Sequence, residues 1–241
     1  RGIGFGVAQL LAGEGCNLHL ASRNTESLEA ARRKITAACR VNVTVHALDL
    51  SRLENAVKLV KACGPVDILI NNAGAIPQGT ITGLDDKTWR EAWDLKVFGF
   101  INVTREVYRG MCAQKRGVIV NVVGVAGERP TANYLAGSMA NAGLMAMSRA
   151  LGAESVDHGV RVVAVNPGGT ETDRQVVRWK ARAKNELGDE SRWRELTTGF
   201  PRGRLATVDE VASTIVFLCS DRAGYISGSV VTIDGGASWR K

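Results

Sequence analysis

Long apolar runs are absent. Hydrophobic residues make up 45% of the 241-residue chain, yet no stretch approaches the ~18 consecutive apolar positions that a bilayer-spanning helix needs. The expectation is a soluble, cytoplasmic protein with no membrane segment. No signal peptide is visible, and the opening at Arg1 in place of methionine leaves an export signal open. Paired cysteines are absent too. Cys16, Cys39, Cys63, Cys112 and Cys219 are odd in number and none forms a CxxC pair. They read as reduced packing residues, which excludes a disulfide framework. His19, His46 and His158 are equally scattered, so no metal is expected. Aromatic residues are scarce, at 5%. With no long basic run, the net charge of +7 gives no nucleic-acid footprint. It reads as a solvated surface or as attraction for a phosphorylated ligand.

What is present is alternation. Apolar, β-branched runs at 17–21, 43–48, 66–70, 117–122, 161–165 and 229–233 predict strands, apolar enough to be covered on both faces. Helical patterns at 4–13, 25–40, 53–62, 86–114, 132–158 and 208–219 lie between them. This βαβ order predicts an α/β, doubly wound parallel sheet, a single Rossmann-fold domain over residues 1–241. In such a sheet ligands bind beyond the carboxyl ends of the strands. The chain opens inside a glycine turn with no strand ahead of it. The expectation is that roughly a dozen N-terminal residues carrying the first strand are missing, because a sheet without a central strand would expose edges.

Gly2-Ile3-Gly4 is a weak motif alone. The helix that follows strengthens it, since its N-terminal amides can hold a pyrophosphate. Ala21-Ser22-Arg23-Asn24 follows the next strand. An acidic residue there would bond a ribose 2′-hydroxyl, whereas an arginine pairs with a 2′-phosphate. Ser22 and Arg23 therefore favour NADP over NAD. Asp49 can accept from an adenine amino group, with Leu50 offering its backbone. Asn71-Asn72-Ala73-Gly74 forms a further turn at a strand end.

The motifs in order are GIG, SR, DL, NNAG, a tyrosine segment, Asn166-Pro167-Gly168, Tyr225-Ile226-Ser227-Gly228 and Val231 to Gly236. Together they closely resemble the short-chain dehydrogenase/reductase family over essentially the whole chain. The resemblance implies a seven-stranded Rossmann domain that binds NAD(P), commonly as a tetramer. It also implies cofactor contacts at Gly2, Ile3, Gly4, Arg23, Asp49, Leu50 and Asn72, and a segment from Pro167 through Gly168 to Thr172 flanking the nicotinamide. The family's usual active site has a serine that binds the carbonyl, a tyrosine acid/base, a lysine four residues later, and an asparagine that holds a water.

Here Tyr134 is matched to the tyrosine and Gly124 to the serine. Ser138 takes the lysine's place and Lys96 the asparagine's. An unperturbed phenol, with a pKa of about 10, is a sluggish acid/base at neutral pH, and a nearby ammonium lowers that value. Lys96 lies in the otherwise apolar run 95–101, where a bare charge is costly. The expectation is that Lys96 approaches Tyr134 as a relocated ammonium, with the Ser138 hydroxyl near the ribose. A snorkelling Lys96 remains open.

The expected activity is hydride transfer between NADP(H) and an alcohol or carbonyl, by a homo-oligomer (tetramer or dimer) acting on a small molecule. The alternatives are an NADP-binding pseudoenzyme, sensor or scaffold, and a structural subunit of a hetero-oligomer. Residues 173–204 hold nine basic and five acidic residues. They read as an exposed amphipathic helix pair or as a cover attracting a carboxylate or phosphopantetheine substrate.

Overall fold

Valine and isoleucine dominate the strands because branched side chains pack well on a pleated surface. The computed structural model describes residues 1–74 and 76–240. Its strands are β1 (Leu18–Ser22), β2 (Val43–Ala47), β3 (Ile68–Asn71), β4 (Gly117–Val122), β5 (Val160–Pro167) and β6 (Val230–Ile233). All pairings are parallel: β1 with β2, and β3-β4-β5-β6 in order. No ladder joins β1 to β3 among the described residues. The six predicted strands form within a residue or two of their expected bounds, and the seventh implied by the resemblance is not among the described residues.

The helices are α1 (Gly2–Gly13), α2 (Thr25–Ala38), α3 (Leu53–Cys63), α4 (Asp86–Trp93), α5 (Gly99–Gln114), α6 (Leu135–Glu154), α7 (Asp173–Leu187) and α8 (Val208–Cys219). Side chains alternate across the central strands. Val120, Val122, Val163 and Val165 pack with Val7, Leu11, Val211 and Ile215 of α1 and α8. Ile119, Val160 and Val162 face Val103, Val107 and Met111 of α5. Burying a valine or isoleucine fully contributes about 1.5–3 kcal/mol, so β4 and β5 anchor the domain. Helix starts are fixed locally: Asn24 caps α2, Asp85 caps α4, and Thr207 with Glu210 forms a capping box on α8.

Two predicted helices are corrected. The expected helix at 86–114 is interrupted by a π-helical turn, Asp94–Phe98, which contains Lys96. One extra residue per turn is accommodated there, and Gly99 follows where any Cβ would lie 2.9 Å from the Leu50 carbonyl oxygen. The expected helix at 132–158 begins only at Leu135 and gives way at Ser155 to a 3-10 turn. Tyr134 is the residue preceding α6, with φ −137° and ψ 37°, so it is not on the helix as expected. Among the described residues no helix is long and apolar enough to cross a membrane.

Candidate cofactor cleft and active site

Two separate loops converge at the start of α1. Gly2 has φ +59°, a conformation that favours glycine, and a Cβ there would lie 3.3 Å from the Thr172 methyl. A Cβ on Gly4 would come within 2.6 Å of Asn72 Nδ2. Glycine therefore lets the first turn of α1 lie directly against the loops after β3 and β5. Thr172 caps α7, its hydroxyl accepting from the Gln175 amide. Gly168 donates its amide to the Ile233 carbonyl, and Pro167 closes β5. Ile3 is partly buried and packs against the core beneath α1.

The ends of β1, β2 and β3 border a cleft of about 230 Å³ lined by Ser22, Arg23, Leu48, Leu50, Gly74 and Leu95. A neighbouring cleft of about 530 Å³ shares Arg23 and Leu95 and reaches Asp49. Arg23 is exposed and makes no ion pair among the described residues. Burial works to raise the Asp49 pKa. Hydrogen bonds from the Ser51 amide and hydroxyl, with the charges of Arg23 and Arg52, outweigh it and hold the carboxyl below its ordinary value. The donor set, a bare arginine beside a glycine-edged helix start, fits a phosphorylated dinucleotide.

The other side of the site is arranged differently from the expectation. Lys96 is buried at 7% exposure. Its Nζ donates to the carbonyls of Val122, at 2.8 Å, and Val123, at 3.4 Å, and lies 4.6 Å from the centre of the Phe100 ring. Its stem passes Gly74, where a Cβ would be 2.4 Å from the lysine Cδ. Lys96 therefore does not snorkel, and no hydrogen bond joins it to Tyr134 among the described residues. Burial pushes its pKa down to about 7.

Tyr134 is held by a parallel bridge to Gly79. Its ring folds back over α6, and a Cβ on Gly137 would lie 2.2 Å from two ring carbons and 2.7 Å from the hydroxyl oxygen. Burial raises the phenol's pKa, and the charges of Arg174 and Arg178 on α7 partly oppose the rise. The cations bearing on Tyr134 are thus two arginines of the basic segment and not Lys96.

Ser138 is 3% exposed, and its hydroxyl has no hydrogen-bond partner among the described residues. It sits in the packing of α6. Asn141, one turn further, is the α6 side chain that reaches the Gly124 carbonyl, with Nδ2 at 3.3 Å. The Gly124 amide donates to Asn166 Oδ1. Gly124 has φ +128°, where a side chain would be strained. Asn141 was missed from sequence. Its signal was available: it lies four residues after Gly137 on α6, the spacing sought from Tyr134.

The scattered histidines and cysteines are also regrouped by folding. His19, His46 and Cys63 meet on the β1–β2 pair, outside both clefts.

Comparison with known proteins gives consistent findings. A family model described as enoyl-(acyl carrier protein) reductase matches residues 1–238. The 3-oxoacyl-[acyl-carrier-protein] reductase FabG of Chlamydia muridarum is 30% identical, the match covering 98% of this chain and 93% of that protein. The L-tagatose-forming galactitol 2-dehydrogenase of Cereibacter sphaeroides is 32% identical, covering 98% and 90%. Among solved structures, L-sorbose reductase from Gluconobacter frateurii, complexed with NADPH and L-sorbose, superposes with a TM-score of 0.94 at 30% identity, covering 100% of this chain and 94% of that one.

Proposed function

The chain belongs to the short-chain dehydrogenase/reductase family, and from that premise we propose that it binds NADP(H) and reduces the carbonyl of a small molecule. The observation that carries the cofactor reading is Arg23, exposed and without an ion pair among the described residues, at the mouth of the cleft that β1–β3 build. Its fork suits a 2′-phosphate, and Ser22 stands beside it. The amides at the start of α1 hold the pyrophosphate, Asn72 and Asp49 border the adenosine side, and Pro167 to Thr172 flank the reacting ring. When bound, a reduced nicotinamide supplies the hydride.

Tyr134 supplies the proton. At its ordinary pKa of about 10 the phenol is already protonated at neutral pH; burial raises that value and makes it a weaker donor, which the charges of Arg174 and Arg178 partly oppose. Arg174 and Arg178 stabilise the phenolate left after donation. Lys96 fixes the backbone leading into Gly124 through its bonds to Val122 and Val123. The carbonyl finds no serine hydroxyl at position 124.

A second reading is a nucleotide binder with little turnover. It is favoured by the neutral Asn141 facing Gly124 and by the absence of a Lys96–Tyr134 bond. Calorimetric NADPH binding, followed by NADPH consumption with a panel of aldehydes and ketones, separates the two. Binding with turnover supports reduction. Binding without turnover on every carbonyl favours the second reading, and failure to bind NADPH overturns both.

A further inference from the structure

His19 lies on β1, His46 on β2 and Cys63 at the end of α3. The parallel register pairs His19 with Thr44 and Ala21 with His46, so the two histidines are diagonal neighbours on one face of the pair. Their rings stack with centroids 5.2 Å apart, and His19 Nδ1 is 2.9 Å from His46 Nε2. Cys63 Sγ is 3.9 Å from the same Nε2. One atom from each residue falls within 4.8 Å of the other two.

From this geometry we infer that His19, His46 and Cys63 form a binding site for a zinc-class divalent cation. A tetrahedral zinc has metal–nitrogen bonds of about 2.0–2.1 Å and a metal–sulfur bond of about 2.3 Å, which place its ligand atoms about 3.3–3.6 Å apart. The observed separations bracket that range, so small side-chain rotations close the site. Two imidazoles and a thiol without a carboxylate select a borderline or soft ion over calcium or magnesium. Cys63 releases its proton to solvent on binding and ligates as thiolate. The fourth position stays open to water. The ion would clip α3 to the β1–β2 pair.

The test is equilibrium dialysis of the full chain against Zn²⁺, with Co²⁺ as a spectroscopic probe. The expected result is one ion per chain at micromolar concentration and a thiolate-to-cobalt charge-transfer band. Cys63→Ser should abolish the band. His46→Ala or His19→Gln should weaken Zn²⁺ binding at least about tenfold. The site is overturned if no ion is retained at micromolar concentration, or if all three variants bind as the parent does. Should the two more buried variants fail to fold, the exposed His19→Gln decides alone. NADPH binding is expected to be unchanged in His19→Gln, which keeps this outcome independent of the cofactor reading.

Discussion

The two halves of the cleft are built on different terms. Around α1 and the ends of β1–β3, Gly4 lies against Asn72, and Ser22, Arg23 and Asp49 line two clefts that share Arg23. Each is placed by its own local turn or strand end. Between β4 and α6 the groups expected to act together instead find other partners. Lys96 bonds two strand carbonyls, Ser138 is lost in packing, and Tyr134 lies over Gly137 beneath two arginines. Backbone-mediated ligand contacts depend on local conformation. A catalytic constellation depends on side chains from several elements arriving at one point, so substitution at one position moves the rest.

The contrast can be broken most sharply at Tyr134. If it is the proton donor, Tyr134→Phe should lower carbonyl reduction by about 10²-fold or more while leaving NADPH affinity nearly unchanged. Equal turnover by the variant would remove chemistry from that half of the cleft.

The cofactor half is tested by Arg23→Ala. Losing a charge-assisted bond to a phosphate should weaken NADPH binding roughly 10- to 100-fold with little change for NADH. An equal loss for both cofactors would mean Arg23 only supports the loop.

Lys96→Met probes the cost of the buried ammonium. The folded-state pKa of about 7 lies below the ordinary 10.5. Between those values the unfolded chain binds the extra proton, so stability of the parent rises with pH across that window. Below about pH 7 the full penalty is present. Urea midpoints should therefore favour Lys96→Met at pH 6, by about 1–2 kcal/mol after loss of the two carbonyl bonds. The difference should shrink or reverse by pH 9. A pH-independent difference would mean that the Lys96 pKa is the same folded and unfolded, with the ammonium charged in place throughout.

The smallest effect is expected from Gly124→Ser, a nominal return to the family's serine. At φ +128°, with Asn141 Nδ2 3.1 Å from the new Cβ, it should cost about 1 kcal/mol in thermal unfolding and give no gain in rate. A more active variant would show that the backbone relaxes and that only the hydroxyl was missing.

Periodicity fixed most of the elements in advance: α8 forms over the predicted 208–219, and β4 over 117–122. The π turn at Asp94–Phe98 and the late start of α6 escaped, because neither leaves a periodic mark. The turn is tied to close approach of Gly99 to Leu50, and the start to the bridge between Tyr134 and Gly79. Tyr134 is a visible tyrosine, and counting four residues from it led to Ser138, whereas Asn141 is the residue that touches Gly124.

The amino-acid sequence by itself determined the alternating α/β order, the glycine-edged start of α1, and the arginine after β1, because hydrophobic period and turn chemistry act over a few residues. Tertiary structure alone decided where Lys96 Nζ ends, which charges act on Tyr134, and that His19, His46 and Cys63 meet. Those contacts join residues 17 to 44 positions apart. A buried polar group takes whichever partner the packed backbone brings within reach.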